Sequence, residues 1–400
     1  MNLSSFFDIL LSKGVIFLKK YFEKGRFEVK RGGILMKDIL KIGSAFIGII
    51  VGAGFASGQE VLQYFTSFGI MGIFSAIISA ALFAYCGMVL VWLGSKTGTN
   101  SHKSVIYQLS GRIVGTIIDY ILILTLFGIG VVMIAGAGSN LHQQFGLPYF
   151  VGTLIMTLLV FFIGLFNTDR VVAVISSLTP FLVLFVIIVA IYCIFTLDTS
   201  FSTLNNIAKE TPTSLPNWFI SGINYASFNI AVGASMAIVM GGSEKNQKTA
   251  ALGGLIGGLG IGGLIILIHF ALFSKIESVA ALDLPLLGIV NSISPVLGFT
   301  MSIVIFGMIF STAMGMFYGF VARFVETDTP KFRAVLAGVM IVSFGLSFIG
   351  FTDLIAYFYP LIGYLGLVLI VVLFIAPIKM KKNHQMNSEI NHDHKNKLAK

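Results

Sequence analysis

Apolar residues dominate the chain from about residue 39 to residue 377, and polar positions interrupt them at short intervals. The interruptions divide this region into ten apolar segments, at about 39–68, 70–94, 112–139, 147–166, 170–196, 217–241, 248–274, 296–325, 332–350 and 353–377. Each is near or above the ~20 residues that a helix needs to cross a bilayer. The pattern predicts an all-α polytopic membrane protein of about ten transmembrane helices. Composition agrees, with 56% hydrophobic and 11% charged residues and a mean hydropathy of +0.94, against about 25% charged in soluble domains.

The net charge of +9 invites a nucleic-acid reading, but the positions of the charges argue against it. An interior N-terminus places Lys96, Lys103, Arg112, Arg170, Lys245, Lys248, Arg323, Lys331, Arg333 and the 379–400 tail on the cytoplasmic side. Only Lys209 and Lys275 then face outward, leaving 24 of the 26 Lys and Arg inside (26 minus 2). That bias predicts a multi-pass protein of the plasma membrane with both termini cytoplasmic. Cys86 and Cys193 lie inside apolar segments without metal-ligand spacing and read as packing residues. The polar tail from 378, with His384, His392 and His394, reads as a solvated disordered end rather than a metal site.

Residues 1–35 form an extension that could lie as an amphipathic helix on the cytoplasmic leaflet. Its charge follows the apolar run, so it does not read as a cleavable signal peptide. Arg31-Gly32-Gly33 can be encoded by a ribosome-binding sequence just before Met36, so translation is expected to start at Met36. A native peptide from residues 1–30 in mass spectrometry would refute this.

The first segment carries Gly52-Ala53-Gly54-Phe55-Ala56-Ser57-Gly58-Gln59-Glu60. Three glycines in seven residues weaken a helix interior. Irregular backbone at membrane depth is tolerated only where protein or a wet cavity surrounds it. An acid inside a span, here Glu60, is a functional candidate by default. The competing reading is a Gly-rich packing face with Glu60 near the interface.

Segment six contains Asn224, Tyr225, Ser227, Phe228, Asn229 and Gly233 in mid-span. Segments one and six run in opposite directions five segments apart, so the halves would be inverted repeats: 36–196 and 217–377, joined by the exterior loop 197–216. Paired interrupted helices in such positions point to a transporter's midplane site, and segment six is expected to be broken as segment one is. The alternative for Asn224 and Ser227 is interhelical hydrogen bonding from an unbroken helix. In segment eight, Ser311 and Thr312 could give two hard oxygens to a small cation, or bond back to their own helix carbonyls.

The other polar residues within or near spans have plainer readings. Asp119 pairs with Arg112 or Lys103 in a cytoplasmic gate or sits at the interface. Asp353 starts segment ten, where an acid near a helix N-terminus is favoured. His269 is a packed polar residue. A short helix is expected in the connection 275–295, over the outer face.

The run Lys41-Ile42-Gly43-Ser44-Ala45-Phe46-Ile47-Gly48 followed by Val51 to Glu60 resembles the opening of YkvI-type bacterial membrane proteins. That family is similar to the amino acid–polyamine–organocation superfamily, with its LeuT-type five-plus-five inverted repeat; the similarity covers about 36–380. The resemblance implies that Gly52–Gly58 offers backbone amides to an anionic group and that segment six completes the site. It also implies a sodium site with Ser311 and Thr312 as side-chain ligands and carbonyls from Gly48 and Val51. Many relatives use protons instead, and Glu60 offers that alternative.

The resulting expectation is a secondary active transporter, not an enzyme, that carries an amino acid or related carboxylate by sodium- or proton-coupled alternating access. Its substrate site would comprise Gly52, Ala53, Gly54, Phe55, Ser57, Gly58, Gln59, Tyr225, Phe228 and Asn229. Its partners are the solute and the lipid bilayer, with Na+ or H+ as the coupling ion and no other cofactor. A non-transporting nutrient receptor of the same fold, like the germination permeases, is the alternative. No His-Glu-x-x-His pair or Gly-x-Ser-x-Gly elbow supports an intramembrane enzyme.

Overall fold

The computed structural model describes residues 32–98, 102–165, 179–197, 199–327 and 329–398. The expectations for residues 1–31 and for Arg170 lie outside the described residues. All regular structure among the described residues is helical. The first segment is made of α1 (Gly32–Ile50), α2 (Ala53–Ser57), α3 (Gln59–Tyr64) and a 3-10 turn at Thr66–Phe68. Then come α4 (Met71–Thr97), α5 (His102–Phe145), α6 (Tyr149–Gly164) and α7 (Thr179–Phe195). The connection to the second half carries α8 (Phe201–Glu210), and α9 (Trp218–Gly242) and α10 (Gln247–Ser274) follow. The expected short helix in 275–295 is present as α11 (Pro285–Ile293). The chain ends with α12 (Pro295–Val321), α13 (Pro330–Ser347) and α14 (Tyr359–Leu398), the last preceded by a helical turn at Phe351–Asp353 and a π-helical turn at Leu354–Phe358.

Among the described residues, seven helices are long and apolar enough to cross a membrane, Tyr149–Gly164 and Pro180–Phe195 are shorter apolar helices, and the first segment is broken. All ten expected segments therefore hold helix, though three fall short of one unbroken span. Their packing divides them evenly. α4 packs on α9 and α10, and α1 on α10; these are the first two segments of each half. α5 packs on α12, α6 and α13, which are the third and fourth segments. Two four-segment bodies with one pair from each half are what a five-segment repeat requires.

Lipid tails give helices no hydrophobic reason to associate, so close backbone approach at small residues does much of the work. A methyl at Gly254 would overlap the Gly87 carbonyl, one at Gly258 the Phe83 backbone, and one at Gly241 the Val91 carbonyl. These contacts seat α4 between α9 and α10.

Two expectations need correction. The polar tail was expected to be disordered, but α14 continues to Leu398; its Lys, Gln, Met and Glu are good helix formers. Asp119 pairs with Arg323, a partner the sequence reading did not offer, Oδ1 to Nη1 at 3.0 Å. Arg323 lies 204 residues away and is brought there by the α5–α12 packing. Both helices belong to one body, so the pair staples that body. Asp119→Asn is expected to lower stability by about 1 kcal/mol, read as a lower melting temperature in detergent. An unchanged melting temperature would show the staple to be idle. Asp353 sits in the first turn of segment ten, as its charge favours.

Candidate functional site

The first segment breaks twice. Val51 N–H still donates to Ile47 O at 2.8 Å, and then the ladder lapses until Ala56 N–H reaches Gly52 O at 3.1 Å. Gly52 is extended (φ −97°, ψ −172°) and no side chain caps α2. The N–H groups of Ala53, Gly54 and Phe55 consequently have no backbone acceptor among the described residues. Gly58 makes the second break at φ +83°, a left-handed conformation that strains any residue with a Cβ. Ser57 carries the chain round it: its Oγ donates to Gly54 O at 2.7 Å and accepts from Gln59 N–H at 3.1 Å.

Glu60 turns back over this break. It is 5% exposed, and Tyr225 O–H donates to its Oε2 at 3.0 Å. A methyl at Gly54 would overlap the Glu60 carboxylate, so the glycine is what lets the acid lie against the backbone. Glu60 has no cationic partner among the described residues. Tyr225 is held edge-on by Phe65, with ring centroids 4.9 Å apart, and lies 5.0 Å from Tyr64. Asn229 Nδ2 donates to Tyr225 O at 3.1 Å. Phe228 stacks on Tyr359 of α14 at 4.2 Å. Phe55 and Gln59 are buried. Of the expected residues, Glu60 of segment one and Tyr225 of segment six therefore meet.

Segment six, however, is not broken. α9 runs through Trp218–Gly242 as one helix, and its mid-span polar groups serve its neighbours. Asn224 Nδ2 donates to Pro360 O at 3.0 Å and its Oδ1 accepts from Tyr64 O–H at 3.3 Å. Ser227 Oγ donates to Gly363 O at 2.7 Å. These bonds satisfy the amide and hydroxyl without opening the helix, which is the interhelical alternative weighed above. Irregular backbone lies instead at Gly111, a break inside α5 just before segment three (φ +79°, ψ 178°), and in segment ten, as the π-helical turn Leu354–Phe358 before Pro360. Proline has no N–H, so the carbonyl four residues earlier, Ala356 O, is left without its helical donor; Ser214 Oγ donates to it.

In α12, Thr312 Oγ1 lies 4.0 Å from the position a Cβ on Gly52 would take. Thr125, Thr157 and Thr300 bond back to carbonyls of their own helices at 2.7, 2.8 and 2.9 Å. Ser311 and Thr312 do not, and neither hydroxyl has a partner among the described residues. Both are half-buried, and the exposed Gly48 and Gly315 have nothing within 4 Å of their Cβ positions.

The connection 275–295 closes the site on the other side. A Cβ on Gly58 would sit 3.0 Å from both Leu286 Cβ and Leu286 N. Gln143 brackets Leu284, donating to its O and accepting from its N–H, each at 2.9 Å. Asp283 accepts from Ser139 at 2.6 Å and from Thr352 at 2.7 Å, tying the connection to segments three and ten. Asp283 and Tyr359 were missed in the sequence; the Tyr359-Pro360 pair inside an apolar segment was the available signal for the latter. His269 is a packed residue as expected, 3.1 Å from Thr66 Oγ1.

No family model matches the chain. It is 27% identical over 326 residues to the uncharacterized membrane protein YkvI of Bacillus subtilis (strain 168), covering 81% of this chain and 92% of YkvI. The uncharacterized protein YyaD of the same organism is 26% identical over 336 residues, covering 84% of this chain and 96% of YyaD. Among solved structures, MhsT in complex with L-phenylalanine matches with a TM-score of 0.54 at 16% identity, over 85% of this chain and 96% of MhsT. Inward-facing Mhp1 matches at 0.55 and 12%, over 84% and 76%. A manganese transporter of Eremococcus coleocola matches at 0.56 and 14%, over 88% and 81%. The fold is LeuT-like. A LeuT-like fold with two bodies and a broken first span accounts for the arrangement of α1–α3 between α9, α10 and α12.

Proposed function

We propose that the protein is a secondary active transporter that moves an amino acid or related small carboxylate across the membrane by alternating access. The observation that carries this is the doubly interrupted first segment, whose unbonded N–H groups at Ala53–Phe55 lie where α2 meets α12. Backbone donors of that kind suit an anionic group, and an amino acid has one. Phe55, Tyr225 and Phe228 supply apolar walls. MhsT, a structural neighbour, binds L-phenylalanine, which supports this solute class. The described residues hold no group of three or more His, Cys, Asp or Glu that could grip a metal cargo.

Sodium is the favoured coupling ion, held by Ser311 and Thr312 with the carbonyls of Gly48 and Val51. The hydroxyls make no hydrogen bond among the described residues, and Thr312 Oγ1 lies 4.0 Å from the Cβ position of Gly52. Protons acting through Glu60 are the second choice. The test is uptake of labelled amino acids into proteoliposomes with and without an inward sodium gradient. Accumulation above the external concentration, dependent on the gradient, is the expected result. Binding without accumulation would replace the transporter reading with a receptor.

A further inference from the structure

We propose that the groove between α5 and α14 binds an anionic phospholipid, its headgroup phosphate held by Arg112 and Lys379. α5 and segment ten run antiparallel and in contact across the membrane. Lys379 Nζ donates to Leu109 O at 2.9 Å, a methyl at Gly128 would overlap the Phe358 ring, and one at Gly136 would crowd Phe351. Beside this seam lie two strips of exposed apolar side chains: Ile113, Ile117 and Tyr120 on α5, and Val371, Ile375 and Ile378 on α14. Spacings of three and four keep each strip on one helix face. At 3.6 residues per turn each strip lies about a quarter-turn from its helix's contact line. The opposite flanks, with Leu122 and Ile129 on α5 and Ile362 and Leu369 on α14, are buried. Both strips are therefore on the lipid side of the seam. They overlap in depth because Leu109 is level with Lys379, and they form a groove in the leaflet that the charge bias assigns to the cytoplasm.

The charges at the end of the groove set the ligand. Gly111 breaks α5, and Lys379 reaches a carbonyl just before the break, where a helix end favours a cation. That bond uses one of three ammonium donors and leaves two. Arg112 follows Leu109 by three residues, so its Cα lies within about 11 Å of that of Leu109. Arg112 is exposed, and neither cation has a carboxylate partner among the described residues. Arg323 differs, because Asp119 meets its charge. Two cations without acids, over an apolar groove, complement a phosphate that carries acyl chains. Basic pockets between helices on this side of a membrane hold lipid headgroups, and a guanidinium fits phosphate as a two-pronged fork. Free phosphate would engage the cations and leave the groove uncovered. A zwitterionic lipid would bring a cation of its own to the same place.

Native mass spectrometry of the purified full chain, titrated with phosphatidylglycerol or phosphatidylcholine of the same acyl chains, tests the proposal. Phosphatidylglycerol is expected to bind about tenfold more tightly or better. Arg112→Gln and Lys379→Gln should each weaken it about fivefold and leave phosphatidylcholine unchanged. Lys379→Gln also gives up the bond to Leu109 O, so Arg112→Gln is the decisive variant. Its melting temperature in neutral detergent should match that of the unaltered protein. Arg333→Gln is the control, an exposed cation at the start of α13 and outside the seam. Equal affinity for the two lipids would overturn the proposal. So would equal losses in Arg112→Gln and Arg333→Gln, which would mean general surface attraction without a site. Inorganic phosphate is the last probe. Thermal stabilisation that phosphate alone reproduces, and that Arg112→Gln removes, would make this a soluble-anion site and overturn the lipid assignment.

Discussion

Thr312→Val is expected to weaken sodium stimulation of uptake about tenfold or more while the protein still folds. Valine keeps the branched shape and removes one hard oxygen, which is the type of ligand that small hard cations require. The hydroxyl makes no hydrogen bond among the described residues, so its loss leaves no buried partner stranded. That separates Thr312 from Thr125, whose hydroxyl serves its own helix at 2.7 Å, and Thr125→Val is the matched control. Half-maximal sodium should rise about tenfold or more, because one lost charge-assisted contact amounts to about 1.5–3 kcal/mol. Ser311→Ala should act in the same direction. Sodium stimulation that survives both changes would move coupling to Glu60. Glu60→Gln would then remove pH-driven uptake, and pH-driven uptake retained in that variant would eliminate the proton role as well.

The fold was legible because its signals are local. Ten apolar segments are visible one window at a time, and the break at Gly52 and Gly58 was signalled by glycines followed at once by Ser57, Gln59 and Glu60; glycines alone do not break a span, since α10 stays helical through Gly253, Gly254, Gly257 and Gly258. What the sequence hid were the partners of polar groups. Asn224 and Ser227 looked like a second break because each is costly alone in a bilayer. Pro360 O and Gly363 O, which accept from them, lie 136 residues further on. Arg323, which pairs with Asp119, was not among its expected partners for the same reason: Arg112 and Lys103 were offered because they are near in sequence, and Arg323 lies 204 residues on. Tyr359 went unnoticed because an aromatic residue in a membrane segment is ordinary until its partner, Phe228, is known. Glu60 was identified from its position alone, while its contact with Gly54 and its bond from Tyr225 needed the fold.

The correction at segment six changes the mechanism that is expected. With α9 intact and bonded to α14 through Asn224 and Ser227, the two helices form a rigid pair. In the proposed transport cycle, backbone adjustment would then concentrate in the first segment and in the π-helical turn at Leu354–Phe358. Both lie beneath the long connections: the 275–295 connection reaches Gly58 through Leu286 and Thr352 through Asp283, and Ser214 reaches Ala356. The moving parts and the covering loops are thus the same set of contacts.

Gly58→Ala tests that coupling most directly, and it is expected to cut uptake at least about tenfold and to destabilise the protein by about 2 kcal/mol. Two costs coincide at this position. The left-handed backbone at φ +83° is strained for alanine, by about 1–2 kcal/mol. The new methyl would also lie 3.0 Å from Leu286 Cβ and N and 3.4 Å from Pro285 Cγ. The loop cannot simply retreat, because Gln143 grips Leu284 and Asp283 is bound by Ser139 and Thr352. The displacement therefore falls on α2 and α3, where the solute is proposed to sit. Gly98→Ala is the control: Gly98 has φ +58° and nothing within 4 Å of its Cβ position. It carries the backbone strain without the clash, so it should lose about 1 kcal/mol and keep its uptake. Equal uptake in the two variants, with equal melting temperatures, would show that the contact between Gly58 and Leu286 takes no part in transport. A selective loss in Gly58→Ala would place the 275–295 connection in direct mechanical contact with the break in the first segment.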